Sequence, residues 1–173
     1  IPLAAEPHTV RCSPDGRTVA VSHPQGGVEL VDREFGDITA SFQKAGSSLG
    51  IAWHPGGRWL AIPSRDGMVF VWDTRGGPSS ERNWIAHNGA VKQTAWHPDG
   101  RLLVSESADG EIALWDARLG EKLVEYAAQS VGDLTFSPDG RRLGLFRQGD
   151  QVSLLEVDDG GAIMRYSVGH EGH

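Results

Sequence analysis

Four copies of one five-residue turn constrain this chain more than any other feature. They read SPDGR at 13–17, HPGGR at 54–58, HPDGR at 97–101 and SPDGR at 137–141, at intervals of 41, 43 and 40 residues. Proline presets φ for such a turn, and glycine takes the positive-φ position at no steric cost. Each copy follows an apolar position (Cys12, Trp53, Trp96, Phe136) and leads into a short strand-like run. Repeats of about 40 residues are supersecondary units that cannot bury their apolar faces alone and must stack on one another.

Within each period the apolar clusters predict four strands, a to d. In the first unit they fall at 9–13, 17–22, 27–32 and 37–43, and in the second at 49–54, 58–62, 68–73 and 83–86. The third unit places them at 91–97, 101–106, 111–116 and 121–127, the fourth at 131–137, 141–146, 151–157 and 162–168. No segment keeps a helical period over three turns. The best-formed unit is the third, where LLVSESADGEIALWD (102–116) reads as two strands joined at Asp109–Gly110, a pair suited to a two-residue hairpin. Met68, Val69, Phe70, Val71 and Trp72 form an unbroken apolar run, so this strand must be covered on both faces. Sheets stacked around an axis do that, whereas an open meander leaves one face wet at roughly 25 cal/mol per Å2.

Composition removes whole classes of function. A formal net charge of −7 with no basic run argues against nucleic acid and against an anionic membrane surface. No apolar stretch approaches the roughly 18 residues of a membrane span. Cys12 is the only cysteine, which forbids an intrachain disulfide and fits a reducing cytoplasm. The many glycines and prolines go with turns, since the apolar residues between them are regularly clustered. The chain starts at Ile1 without Met or a signal-peptide pattern, as expected of a processed or trimmed segment.

With these residues in view, the chain resembles the WD-repeat β-propeller family over essentially its whole length. Trp72–Asp73 and Trp115–Asp116 match the dipeptide that ends strand c, and the period matches one blade. The resemblance implies an all-β fold of four-stranded antiparallel blades, four of them in a single domain of residues 1–173. The blade units run 1–41, 42–84, 85–124 and 125–167, and a further unit begins at 168–173. It also implies a structural hydrogen-bond relay of His87, Ser105, Asp109 and Trp115 in the third unit. Indole N–H, hydroxyl, imidazole and carboxylate can pass donors and acceptors in sequence. Unit two keeps Asp66 and Trp72 but has Ile62 for serine and Lys44 for histidine. Units one and four have Val31 and Leu155 for tryptophan, and Gln25 and Gly149 in the aspartate column. Those blades are expected to depend on apolar packing.

Propellers of this family usually need about six to eight blades to close. Four blades therefore call for self-association, as a homodimer forming an eight-bladed ring, or for additional blades from a longer chain. Recognition in the family commonly uses the end formed by b–c turns and inter-blade loops. Carried over by column, that end presents Arg65, Ala108, Pro24 and Gln148 at the turns. The loops add Glu6 and His8, Ser47 and Leu49, Ala90 and Lys92, and Ser130 and Gly132. Of these, Glu6, His8, Arg65, Lys92 and Gln148 make the expected partner-binding face.

No catalytic residues, no metal and no cofactor are expected. The chain has no G-x-S-x-G elbow, phosphate-binding loop, H-E-x-x-H or cysteine pair. His54 and His97 occupy equivalent turns one blade apart, too far to share a metal, and His170 with His173 offers too few ligands. Asp158 and Asp159 read as a solvated turn, and Cys12 as a buried packing residue. Trp59 and Trp84 fall outside the repeat columns and are candidates for contact with a partner. The expected function is a non-enzymatic protein–protein interaction scaffold built from WD repeats, with a protein or peptide partner. The alternative is a sensor or accessory propeller domain of a larger signalling enzyme, such as a kinase, whose catalytic part lies outside this chain.

Overall fold

The four proline–glycine turns close in the same way, each with the glycine amide donating to a carbonyl three residues back. The bonds run from Gly16 to Ser13, Gly57 to His54, Gly100 to His97 and Gly140 to Ser137, at 2.8 to 2.9 Å. This computed structural model describes residues 6–43, 46, 50–76, 80–127, 131–147, 151–157 and 163–169. Among the described residues, sixteen strands run between the turns. The first sheet holds β1 (Thr9–Cys12), β2 (Thr18–Ser22), β3 (Val28–Asp32) and β4 (Ile38–Phe42). The second holds β5 (Ala52–Trp53), β6 (Trp59–Pro63), β7 (Met68–Asp73) and β8 (Glu81–Ile85). The third holds β9 (Val91–Trp96), β10 (Leu102–Ser107), β11 (Glu111–Asp116) and β12 (Glu121–Ala127). The fourth holds β13 (Val131–Phe136), β14 (Arg142–Arg147), β15 (Gln151–Val157) and β16 (Ile163–Gly169). Each is an antiparallel meander in chain order.

The sheets stack as blades. β1 neighbours β5, β5 neighbours β9 and β9 neighbours β13, so the first strand of each blade is innermost and the fourth outermost. Three apolar clusters fill the spaces between consecutive blades. Ala20, Val28, Leu30 and Phe42 of blade one meet Leu60, Ile62, Phe70 and Trp72 of blade two. Ala61, Val69 and Val71 leave the other face of blade two to meet Leu103, Ala113 and Trp115. Leu102, Val104, Ile112 and Leu114 then meet Leu134, Leu143, Leu145 and Leu155 of blade four. Successive side chains of a strand point to opposite faces, so one strand feeds two clusters. That is why Val69, Phe70, Val71 and Trp72 are all buried, as the unbroken apolar run requires.

Some expectations are corrected. The innermost strand of blade two is only Ala52–Trp53, shorter than the run predicted at 49–54. Its outermost strand is Glu81–Ile85, displaced from 83–86. Cys12 is exposed, not buried. Its column partner Trp53 reaches back to blade one, with the indole Nε1–H 3.0 Å from the Arg11 carbonyl. Cys12 points the same way, away from blade two, where the described residues provide nothing to pack on.

The turns sort into two ends. At one, the b–c turn of blade two is tied to the loop before blade three: Val91 N donates to Ser64 O at 3.0 Å, and Ala86 N to Gly67 O at 2.8 Å. At the other, the c–d connections return to the a–b turns, with Thr74 N on Arg58 O and Ala117 N on Arg101 O, both 3.0 Å.

Candidate functional site

The relay residues of blade three converge between β10, β11 and the loop that precedes β9. Ser105, with no exposed surface, accepts the Trp115 indole N–H at 2.8 Å. Its Oγ lies 2.7 Å from His87 Nε2. With Trp115 donating, Ser105 uses both its functions by giving its own hydrogen to Nε2, which assigns the imidazole proton to Nδ1. That nitrogen is 3.6 Å from Glu111 Oε2. The chain thus runs Trp115, Ser105, His87, with Glu111 as the nearby acid.

Asp109, expected as the relay carboxylate, is placed elsewhere. It accepts the hydroxyl of the fully buried Ser107. It also sits so close to the 87–91 loop that a Cβ on Gly89 would lie 2.8 Å from its Oδ1. It fastens hairpin to loop without a hydrogen bond to His87. The Ser107 hydroxyl is also the main reason its carboxyl lies below the ordinary aspartate range. The Ser105 hydroxyl is enclosed with both functions engaged, an arrangement that rigidifies a core and leaves no approach for a substrate.

Burial, opposed by Glu111, holds His87 below the ordinary imidazole range. Burial likewise lowers His54, against the opposing pull of the Gly100 carbonyl and Asp99. The folded chain therefore takes up these protons less readily than the unfolded one. Their stabilising contribution is whole above about pH 6.5 and is lost as pH falls below that value. Urea midpoints are expected to fall between pH 7.5 and 5, and less steeply in the His54→Gln/His87→Gln variant. An equal slope in both proteins would contradict this.

His54 and His97 have a role that the sequence reading missed. His54 Nε2 is 3.2 Å from Gly100 O, and His97 Nε2 is 2.9 Å from Gly140 O, each joining one blade's turn to the next blade's turn. His54 packs edge-on against Trp96 at 4.8 Å, and His97 against Phe136 at 5.1 Å. Trp53 and Trp96 bond in the opposite sense, to Arg11 O and Ala52 O of the preceding blades. The sequence signal was histidine in the second and third markers, where the first and last copies have serine. Trp84 is also structural, 5.6 Å from Trp115 across the blade interface.

Of the expected binding face, Glu6, His8 and Arg65 are exposed, and Lys92 is half-buried. Arg65 and Lys92 are neighbours, because each follows a residue of the Ser64–Val91 bond. The His8 amide bonds Ser22 O at the same end of blade one. Gln148, Lys44, Ser47, Leu49, Ser130, Asp158, Asp159, His170 and His173 lie outside the described residues. Lys92 also faces inward: its Nζ is 3.9 Å from Oε1 of Glu106, a fully buried carboxyl that accepts Gln93 Nε2–H at 2.5 Å. Among the described residues, no His/Cys/Asp/Glu group is arranged to hold a metal. Nor is any helix long and apolar enough to cross a membrane.

The WD40 family (WD domain, G-beta repeat) matches residues 38–73 and 79–116. No curated protein matches the chain. Among solved structures, hydrazine synthase of Kuenenia stuttgartiensis superposes with a TM-score of 0.81 at 19% identity, over 97% of this chain and 51% of that one. At that identity the likeness concerns the fold, and this chain spans about half the length of its neighbour. Two matched repeats, four stacked antiparallel blades and a buried Trp–Ser–His chain in the best of them agree: the chain carries WD40 repeats at 38–73 and 79–116 and folds as four blades of a β-propeller.

Proposed function

We propose that this chain is a non-enzymatic interaction domain that holds a protein or peptide at the end built from b–c turns and inter-blade loops. WD repeats are a protein-interaction module, and the observation that carries this reading is the exposed Arg65 beside Lys92. Arg65 is exposed on a turn held by backbone hydrogen bonds, so its backbone position is fixed before a partner arrives. An acidic segment would complement this pair. Glu6 and His8 extend the same end across blade one.

The test compares capture of a purified partner by the native chain, by Arg65→Glu and by Arg33→Glu at the opposite end. A tenfold or greater loss confined to Arg65→Glu is expected. Equal capture by both variants would overturn the assignment of the face. Lys92→Glu is a poorer probe, because it sets a second carboxylate against buried Glu106.

The outer faces of blades one and four carry exposed apolar side chains, although on blade one Val21, the partner of Val10, and Val31 are already buried. Val10 is 48% exposed on blade one, and Phe146 and Val152 are 46% and 42% exposed on blade four. A second copy of the chain, joined flank to flank, would cover both faces and complete an eight-bladed ring. A monomer mass by light scattering at micromolar concentration would overturn that reading.

A further inference from the structure

At the end opposite the proposed face, a cavity of about 210 Å3 opens between blades two and three, lined by His54, Trp59, Arg82, Trp96, Gly100 and Arg118 among others. Its lining includes two arginines, Arg82 and Arg118, and no acidic residue. Arg82 is positioned before any ligand arrives. Its guanidinium carbon lies 4.7 Å from the Trp59 ring centre, and its Nη1 donates to the Arg118 carbonyl at 3.1 Å. Stacking on an indole orients the planar fork and weakens its hydration. Among the described residues one of its five N–H groups is used, which leaves the others to face a ligand.

The surrounding acids are engaged elsewhere. Asp73 takes a bidentate bond from Arg58, with the shortest contact at 2.6 Å. Asp116 accepts the amides of Arg118 and Leu119 at 2.9 and 3.0 Å. Asp99 accepts the Arg101 amide at 2.7 Å and lies 2.8 Å from His97 Nδ1. Among the described residues, no carboxylate pairs with the side chain of Arg82 or Arg118. A stacked, singly bonded arginine near a second one that no described carboxylate neutralises is an arrangement suited to an oxyanion. Trp59, one of the two tryptophans outside the repeat columns, thereby acquires a reason: it braces Arg82.

We propose that this cavity is a binding site for a phosphate monoester, with Arg82 and Arg118 clamping the phosphoryl oxygens and the walls of Trp59, Trp96 and His54 enclosing its organic part. A dianion matches two guanidinium charges, which a single carboxylate does not. The cavity also has room for more than a bare anion. The site shares no residue with the proposed partner face, so either can fail without the other.

Titration calorimetry of the native chain with phenyl phosphate, benzoate and inorganic phosphate tests this. Phenyl phosphate is expected to bind at least tenfold more tightly than benzoate, and more tightly than inorganic phosphate. Arg82→Gln and Arg118→Gln should each weaken phenyl phosphate at least tenfold. Arg82→Lys should recover only part of the loss, because it keeps the charge without the fork. Circular dichroism establishes that each variant is folded. Benzoate binding as tightly as phenyl phosphate, or affinity unchanged in Arg82→Gln, would overturn the proposal.

Discussion

Trp115→Ala is expected to lower stability by about 3–5 kcal/mol, the range for deleting a buried tryptophan. In a chain of this size that is a drop of roughly 6–20 °C in thermal midpoint. The side chain is 3% exposed and packs between blades two and three with Ala61, Val69 and Val71. It also donates to Ser105, so the truncation leaves a fully buried hydroxyl without its donor. A paired experiment separates packing from hydrogen bonding. Trp115→Phe keeps most of the ring but removes the N–H. Trp72→Phe does the same in blade two, where Ile62 stands in the serine column and the indole N–H has no hydrogen-bond acceptor among the described residues. Trp115→Phe should therefore cost more by about 0.5–1.5 kcal/mol, the net worth of a hydrogen bond. Equal costs would mean that the Trp115–Ser105 bond adds nothing. Asp109→Ala should matter far less than Trp115→Ala, because Asp109 is exposed and stands outside the buried chain.

The turn markers made the architecture legible because their chemistry is local. An apolar residue before the turn, a proline and a glycine at positive φ specify it without reference to anything distant. The apolar run at 68–72 required cover on both faces, and the blades provide it. The site was legible only where it depends on residue type. His87, Ser105 and Trp115 meet as the family resemblance implies, but the part assigned to Asp109 did not follow from its column. Which of two acids approaches an imidazole is decided by side-chain reach in three dimensions. Glu111, across the hairpin, comes nearer to His87 Nδ1, while Asp109 has Ser107 two residues away. The turns at 54 and 97 failed for a related reason. Their histidines act on the next blade, 46 and 43 residues along the chain, and no local pattern shows that reach. Cys12 failed because its column predicts burial only where described residues cover that face, as blade one covers Trp53.

Leu155→Ala is the second large effect expected, about 2–5 kcal/mol. Leu155 fills the tryptophan column of blade four, has no exposed surface and packs with Leu102, Val104, Leu114 and Leu143. Nothing polar holds this column, so apolar contact is the whole of its contribution. Its neighbour Leu154 points to the opposite, open face of β15 and is only partly buried, opposite Gly144 on β14. In an isolated four-blade chain Leu154→Ala should cost well under half as much as Leu155→Ala. If a second copy covers that face, both Leu154→Ala and Val152→Asp should shift the mass by light scattering toward the monomer while Leu155→Ala acts on the unfolding midpoint. The two leucines, adjacent in sequence and a blade's thickness apart in what they touch, therefore separate folding from ring closure. Should Leu154→Ala leave the mass unchanged and cost as much stability as Leu155→Ala, the outer face of blade four is part of this chain's own core.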